Sequence, residues 1–524
     1  MGKGKRIRQA RAEELERQRR EAEAKRQERR ETIKLTLIVV SVLLVVAILA
    51  GSVVFTITSI KSTGKYLRKH IALESKNYTV NDAMLAYFFY DNFYRQKNYY
   101  DLYFLYYQYG VNTSKPLKSQ KYGSGNQTWF DFFMDQTVDN VKNILYYAEQ
   151  AKELGVELDE DDMLFIDKEI SSLQRLADKE KVSLEKYIYD LYGLGVKESD
   201  IRDALELSYL FKKVYYILKD EFEYTDEDLE DYYEDNETDF LYADYKSYKV
   251  KSYYPSDATD KEKEEASEKA KAYADKLAEA KNAKEFDIAL KDYLYKVYTE
   301  NKITYTDEEI EKTIKDTLTE RHAYSDSTEF DKWLFDEDND VKAGDTKVID
   351  NKDGTYTVYL VVTAPSRLEY TTKNVRHILF NSDYYEDDKA CREAAEKLLA
   401  EFKAGDMTEE RFAELAKKYT DDSGSEYIGG LYENIAKGEM VEEFEDWCYD
   451  SSRKAGDVEV IKTDYGYHVM YYVGDGLAAW KATAYNALFN EYIDKTNNDY
   501  SKKFEITVNK DKLGKVPDDA AINR

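Results

Sequence analysis

The chain has 524 residues, a net charge of −28 and 43% hydrophobic residues, with 50 Tyr and 21 Phe. That length exceeds one ordinary domain and points to three or four units, each with enough aromatic bulk for a core of its own. The acidic balance excludes a basic nucleic-acid-binding surface, and only 4 Pro with 22 Gly exclude long flexible linkers.

Residues 1–34 hold 13 Lys and Arg against 7 Glu, so this leader is basic while the remainder carries −34. Between Gln9 and Arg30 the leader alternates Glu, Arg and Ala at helical spacing, a pattern suited to anionic headgroups or to setting topology alone. Residues 35–60 contain no charged side chain. At about 1.5 Å per residue such a run spans a hydrocarbon core of about 30 Å. The spacing therefore predicts one transmembrane helix with a cytoplasmic N-terminus and the bulk of the chain outside. A cleaved signal peptide is the alternative, but the long charged leader and long apolar run favour an uncleaved anchor.

Residues 65–240 read as a helical domain. Val80–Gln96, Thr128–Leu154 and Asp200–Glu221 place apolar side chains three and four residues apart. Thr225 and Asp228 form a variant capping box that opens a further helix. The acidic run Asp159-Glu160-Asp161-Asp162 lacks the alternation of a calcium loop and reads as a helix start. The Tyr-rich run from Tyr87 to Tyr109 reads as core rather than ligand surface.

Residues 241–365 and 370–475 share an order of elements: strand, helix, helix, Phe-x-x-Trp, Ala-Gly-Asp, strand. Glu329-Phe330-Asp331-Lys332-Trp333 echoes Glu443-Phe444-Glu445-Asp446-Trp447, and Ala343-Gly344-Asp345 echoes Ala455-Gly456-Asp457 at an offset of 112. The first stretch is therefore expected to be a divergent copy of the second. At the same offset Tyr356 stands where His468 stands, and the segment Tyr245–Tyr253 has no histidine. His322 lies outside both positions and reads as an ordinary surface or core residue. In the second stretch, Val375–Phe380, Val458–Lys462 and His468–Val473 are expected strands. Lys389–Phe402, Thr408–Tyr419 and Glu442–Tyr449 are expected helices, giving a mixed sheet flanked by helices. Cys391 and Cys448 both fall in this stretch; they could pair on the oxidising side of a membrane or remain buried thiols. Residues 477–524 supply a helix expected to pack back on the helical domain, then a short strand.

Two of the four histidines frame the second stretch, in Val375-Arg376-His377-Ile378-Leu379 and Tyr465-Gly466-Tyr467-His468-Val469. Between them lie Tyr419-Thr420-Asp421-Asp422-Ser423-Gly424-Ser425, Gly429-Gly430 and Met440-Val441-Glu442-Glu443-Phe444. This frame resembles the parvulin-type peptidyl-prolyl isomerases over about 100 residues. The resemblance implies catalytic roles for His377, Asp422 and His468. It places Tyr432, Met440 and Phe444 around the substrate proline, with Thr463 supporting the histidines. The histidines can also be structural, hydrogen-bonding each other to tie two strands; the two roles are compatible, and the structural one is the larger energetic effect. It implies no cofactor and no metal.

The family follows Gly-Gly with Asp-Leu-Gly, whereas here Leu431-Tyr432-Glu433 follows, so Tyr432 takes the place of a pocket leucine and Glu433 that of a glycine, losing its backbone freedom. The whole layout is an α+β multidomain chain with an anchor, a helical chaperone-like domain, two parvulin-like modules and a returning helix. It resembles PrsA-type foldases and SurA-type chaperones. Its implied partners are unfolded exported polypeptides with X-Pro bonds and the membrane, not nucleic acid, and a homodimer is left open. The expected function is isomerase and foldase at the outer face of the cell membrane. A client-holding chaperone without turnover and an envelope scaffold are the alternatives.

Overall fold

The computed structural model describes residues 64–104, 110–113, 115–513 and 516–517. The basic leader and the apolar run at 35–60 lie outside the described residues. Among the described residues no helix is long and apolar enough to cross a membrane.

The helical region comprises α1 (Gly64–Lys69), α2 (Asp82–Phe104), α3 (Trp129–Leu154), α4 (Glu160–Lys179), α5 (Leu184–Tyr192), α6 (Glu198–Glu221) and α7 (Asp226–Asp235), with strands β1 (Ile71–Glu74) and β2 (Thr79–Asn81). Local chemistry sets its ends. Thr128 opens α3 with a reciprocal cap to Asp131, and Gly155 closes it at φ 65. Asp159 caps α4 through Asp161 N and Asp162 N, which explains the acidic run as a helix start. Thr225 and Asp228 cap α7 as expected. Phe89, Tyr90, Phe93, Phe133, Tyr147, Phe165 and Tyr209 fill one continuous core. The first part of the Tyr-rich run is therefore core; its remainder lies outside the described side chains.

Next come β3 (Tyr242–Val250), α8 (Asp260–Leu277), α9 (Ala283–Glu300), α10 (Asp307–Lys315), β4 (Leu318–Ala323), α11 (Glu329–Leu334), β5 (Thr346–Asp350) and β6 (Tyr356–Ser366). They are followed by β7 (Thr371–Asn381), α12 (Asp388–Ala404), α13 (Glu409–Tyr419), β8 (Leu431–Ile435), α14 (Glu442–Tyr449), β9 (Val458–Thr463) and β10 (Gly466–Ala478). The first sheet runs β4-β3-β6-β5 and the second β8-β7-β10-β9, so the two orders are the same. Every ladder in both is antiparallel, not mixed. Short hairpin turns join β5 to β6 and β9 to β10, and such a turn reverses the chain.

The pleat of the second sheet divides its side chains. Ile378, Phe380 and Val469 pack on α12 and α13, while Val375, Met470 and Tyr472 pack on Phe444 and Trp447 of α14. Cys391 belongs to the first cluster and Cys448 to the second, and both are free and buried. With the sheet between them they do not pair. The chain ends in α15 (Ala479–Lys503), β11 (Thr507–Val508) and α16 (Lys510–Leu513). β11 pairs with β1, and Tyr500 packs edge-on to Tyr147, which returns the C-terminal segment to the helical region.

Register corrects one expected equivalence. His468 lies opposite Ile461, and Thr357, not Tyr356, lies opposite Ile349. The hairpin turn differs in length between the sheets, so a constant offset fails beyond it. His322 is held within its own domain: its Nε2 lies 2.7 Å from Asp331 of α11 and its ring stands edge-on to Tyr245 of β3.

Candidate functional site

His377 on β7 and His468 on β10 lie on the face of the sheet that meets α14. His377 is paired with Met470 and His468 with Leu379, so the two histidines are diagonal neighbours. Their rings stack at 5.3 Å with 22° between planes, and the Nδ1 atoms are 3.1 Å apart. His377 Nε2 reaches Asp422 Oδ2 at 2.9 Å and Ser425 Oγ at 3.2 Å. His468 Nε2 meets Thr463 Oγ1 at 2.9 Å. All four ring nitrogens of the pair thus have a hydrogen-bonding partner, in one line from Thr463 through His468 and His377 to Asp422.

Burial leaves His377 2% and His468 5% exposed. Burial, and then the neighbouring His377, push the His468 imidazole down to about 3, so it stays neutral. Burial alone would raise the Asp422 carboxyl. The hydrogen bond and charge of His377, with donation from Ser425 Oγ and Gly424 N, outweigh it and hold Asp422 well below the usual carboxylate range.

The loop that carries Asp422 is sewn to β7. Asp421 N donates to Leu379 O at 2.8 Å and Leu379 N donates to Thr420 Oγ1 at 3.0 Å. His377 N donates to Gly430 O at 2.8 Å. Gly430 has φ +74, and a Cβ there would run into the His377 carbonyl. Arg376, the neighbour of His377, caps the same turn: its Nη1 donates to Ile428 O and Gly429 O at 2.7 and 3.0 Å, and its Nε to Glu409 at 2.9 Å.

Tyr432, Met440 and Phe444 come together in one apolar cluster beside the histidines. Phe444 presents its edge to His377 and His468 at 5.6 and 5.5 Å. Tyr432 lies flat on His377, 4.8 Å between centroids, and its hydroxyl donates to Asp422 Oδ2 at 3.0 Å. Burial and the Asp422 charge raise that phenol above its ordinary value. Glu433 does not need glycine's freedom: the left-handed residue of β8 is Asn434, at φ 55. The Glu433 carboxylate instead pairs with Lys219 of α6 at 2.9 Å. Sequence reasoning gave no role to Ser425, whose hydroxyl donates to Asp422, although it closes the Tyr419–Ser425 segment of the frame. Among the described residues, no group of three or more His, Cys, Asp or Glu is placed to hold a metal ion.

Residues 359–473 match the family of the PPIC-type PPIASE domain. Over 97 residues the chain is 39% identical to foldase protein PrsA 3 of Bacillus anthracis, covering 18% of this chain and 29% of that relative. Over 95 residues it is 39% identical to foldase protein PrsA of a Geobacillus species, covering 17% and 34%. A solved peptidylprolyl isomerase (PrsA) from Bacillus anthracis is 23% identical, with 26% of this chain and 60% of that chain covered and a TM-score of 0.18. The chain thus spans between 29% and 34% of the length of these two curated relatives.

Proposed function

We propose that this chain, which carries a parvulin-type peptidyl-prolyl isomerase domain at residues 359–473, is an isomerase and foldase for exported polypeptides. The observation that carries the proposal is the unbroken line Thr463–His468–His377–Asp422, flanked by Tyr432, Met440 and Phe444. Rotation about an X-Pro bond breaks no covalent bond and faces a barrier of about 18–20 kcal/mol from amide resonance. The planar amide is more dipolar than the twisted one, so a desolvating cleft penalises the ground state more than the transition state. The apolar side chains would hold the proline ring while the preceding carbonyl turns. Asp422, kept ionised, would weaken resonance by its charge on that carbonyl. The histidine pair fixes the position of the carboxylate.

The rest of the chain fits a foldase layout. Residues 241–365 act as a divergent, non-catalytic copy of residues 370–475, a reading supported by the shared strand order. Residues 65–240 serve as the chaperone-like domain, and residues 477–524 return to it. The apolar run at 35–60 would anchor the chain with its bulk outside. A client-holding role without turnover is the second reading. It draws on the Tyr432 hydroxyl, which occupies the carboxylate the reaction would use.

A proline-peptide isomerisation assay on the full chain separates the two. The isomerase reading expects acceleration over buffer and a fall in kcat/KM of about tenfold or more in Asp422→Ala. Rates equal to buffer, with aggregation of unfolded clients still suppressed, would leave only the holding role.

A further inference from the structure

The active-site loop does not stand on its own sheet alone; the helical region grips it. Glu426, buried next to Ser425, accepts a hydrogen bond from the Tyr209 hydroxyl of α6 and one from Lys168 Nζ of α4 at 3.0 Å. Lys168 Nζ also donates to Lys417 O at 3.1 Å. Arg175 of α4 pairs with Asp421 at 2.7 Å, and Lys212 Nζ of α6 donates to Ser423 O at 3.3 Å. Tyr427 stacks on Tyr216 at 5.0 Å with 12° between rings. Four of the seven loop residues 421–427, Asp421, Ser423, Glu426 and Tyr427, are thus tied from outside their own domain, and among the other three Asp422 and Ser425 meet His377.

Packing holds the Tyr427 end of this loop but not its Ser423–Gly424 stretch. A cavity of about 430 Å³ opens between α2, α3, α4 and α6, and Ser423 and Gly424 form part of its wall beside Glu169 and Lys212. Over such a space the loop is placed by its polar pins. Inside the loop the pins transmit directly: Glu426 N donates to Asp422 O at 3.1 Å, and Ser425, one residue back, donates its hydroxyl to the Asp422 carboxylate. A half-ångström displacement at Glu426 is felt at the oxygen that meets His377, and reacting groups tolerate little misplacement.

We propose that Glu426 is a positioning residue of the isomerase, and that Tyr209 and Lys168 of the helical region hold it, so that the helical region completes the catalytic site of the second sheet domain. This rests on the isomerase reading above. The charge of Glu426 is not itself used on the substrate; it is the handle by which α4 and α6 set the Ser425–Asp422 turn. The pair is built for that use, since a buried carboxylate with two donors has one well-defined position.

The test uses the full chain and the single variants Tyr209→Phe, Lys168→Met and Glu426→Gln. Each is assayed for kcat and KM on a proline peptide, with the folded fraction fixed by near-ultraviolet circular dichroism and the imidazole resonances of His377 and His468 followed by NMR. Positioning expects kcat to fall roughly fivefold in Tyr209→Phe, about the worth of one hydrogen bond, with KM unchanged and both histidine resonances shifted. Tyr209→Phe keeps the ring and the Lys168–Glu426 pair, so it stays informative if Glu426→Gln fails to fold. Unchanged kcat and unchanged histidine resonances in a folded Tyr209→Phe chain would overturn the proposal. If the wild-type chain shows no turnover, the isomerase reading fails instead, and the resonances still report whether α6 sets the histidine pair.

Discussion

The two sheet domains keep the same frame and part company at its centre. Ser247 N donates to Thr317 O at 2.9 Å as His377 N donates to Gly430 O at 2.8 Å. Lys246, next to Ser247, reaches Asp287 near the start of α9, the Ile314 carbonyl and the Thr317 hydroxyl. Arg376, next to His377, reaches Glu409 at the start of α13 and the carbonyls of Ile428 and Gly429. A cation on the central strand that ties the second helix to the turn before the edge strand is therefore common to both. By register, Ser247 and Thr357 take the places of His377 and His468. Phe330 stacks on Tyr359 at 3.7 Å, where Phe444 turns its edge to the histidines. The frame is thus a requirement of the fold and the histidine floor is an addition to it, since the first domain builds the same sheet without one.

The largest way to break the comparison is at the turn before the short edge strand. Gly430→Val in the second domain forces a β-branched residue into φ +74 and drives its side chain into the His377 carbonyl. It should cost about 3 kcal/mol or more. Thr317→Gly in the first domain removes one hydroxyl from Lys246 and adds backbone freedom, at about 1 kcal/mol. Hydrogen exchange of the β7 and β3 amides reads each domain separately. Equal losses would show that the turn is not what distinguishes the two frames.

Much of this frame was legible before the fold was seen. The Phe-x-x-Trp and Ala-Gly-Asp echoes fall on the short helix and the turn after it beside two sheets of the same strand order. The histidines stood out because the chain has only four. The short edge strands β8 and β4 were not legible. Leu431–Ile435 carries a left-handed Asn434 one residue before its end, and Glu433-Asn434 interrupts the alternation that announces a strand. The one-residue slip at Thr357 is set by the hairpin turn, whose geometry no offset reveals. Glu426 was invisible for a different reason: its partners lie more than two hundred residues away, at Lys168 and Tyr209.

Acid sharpens the comparison by a smaller step. The folded state holds His468 down at about 3 against an ordinary 6.5, so the unfolded chain takes up this proton first as pH falls. The stabilisation is whole above pH 6.5 and is lost progressively below it. Asp422, held below its ordinary value, adds a loss of the same sign only once the pH drops below about 4. Between pH 6.5 and about 4 the β10 amides should lose protection, and His468→Leu should flatten that slope. The β6 amides, with Thr357 at the matching place, should show no such slope from this source. A pH-independent β10 would mean that His468 is not held neutral by the fold.

The smallest expected effect falls on Tyr432, whose counterpart by register is Thr319. Tyr432→Phe keeps the ring on His377 and removes only the hydroxyl that donates to Asp422 at 3.0 Å. Asp422 still accepts from His377 and Ser425, so stability should change by no more than about 1 kcal/mol. Turnover is the more telling measurement. On the isomerase reading, a donor that shares the carboxylate would draw its charge away from a substrate carbonyl, so its removal should raise kcat by about twofold to threefold with KM unchanged. A fall in kcat would mean that the hydroxyl holds Asp422 in place rather than competing for it. Tyrosine at the family's leucine position would then be a second support of the carboxylate, beside Ser425, and the departure at Leu431-Tyr432-Glu433 would strengthen the site instead of blunting it.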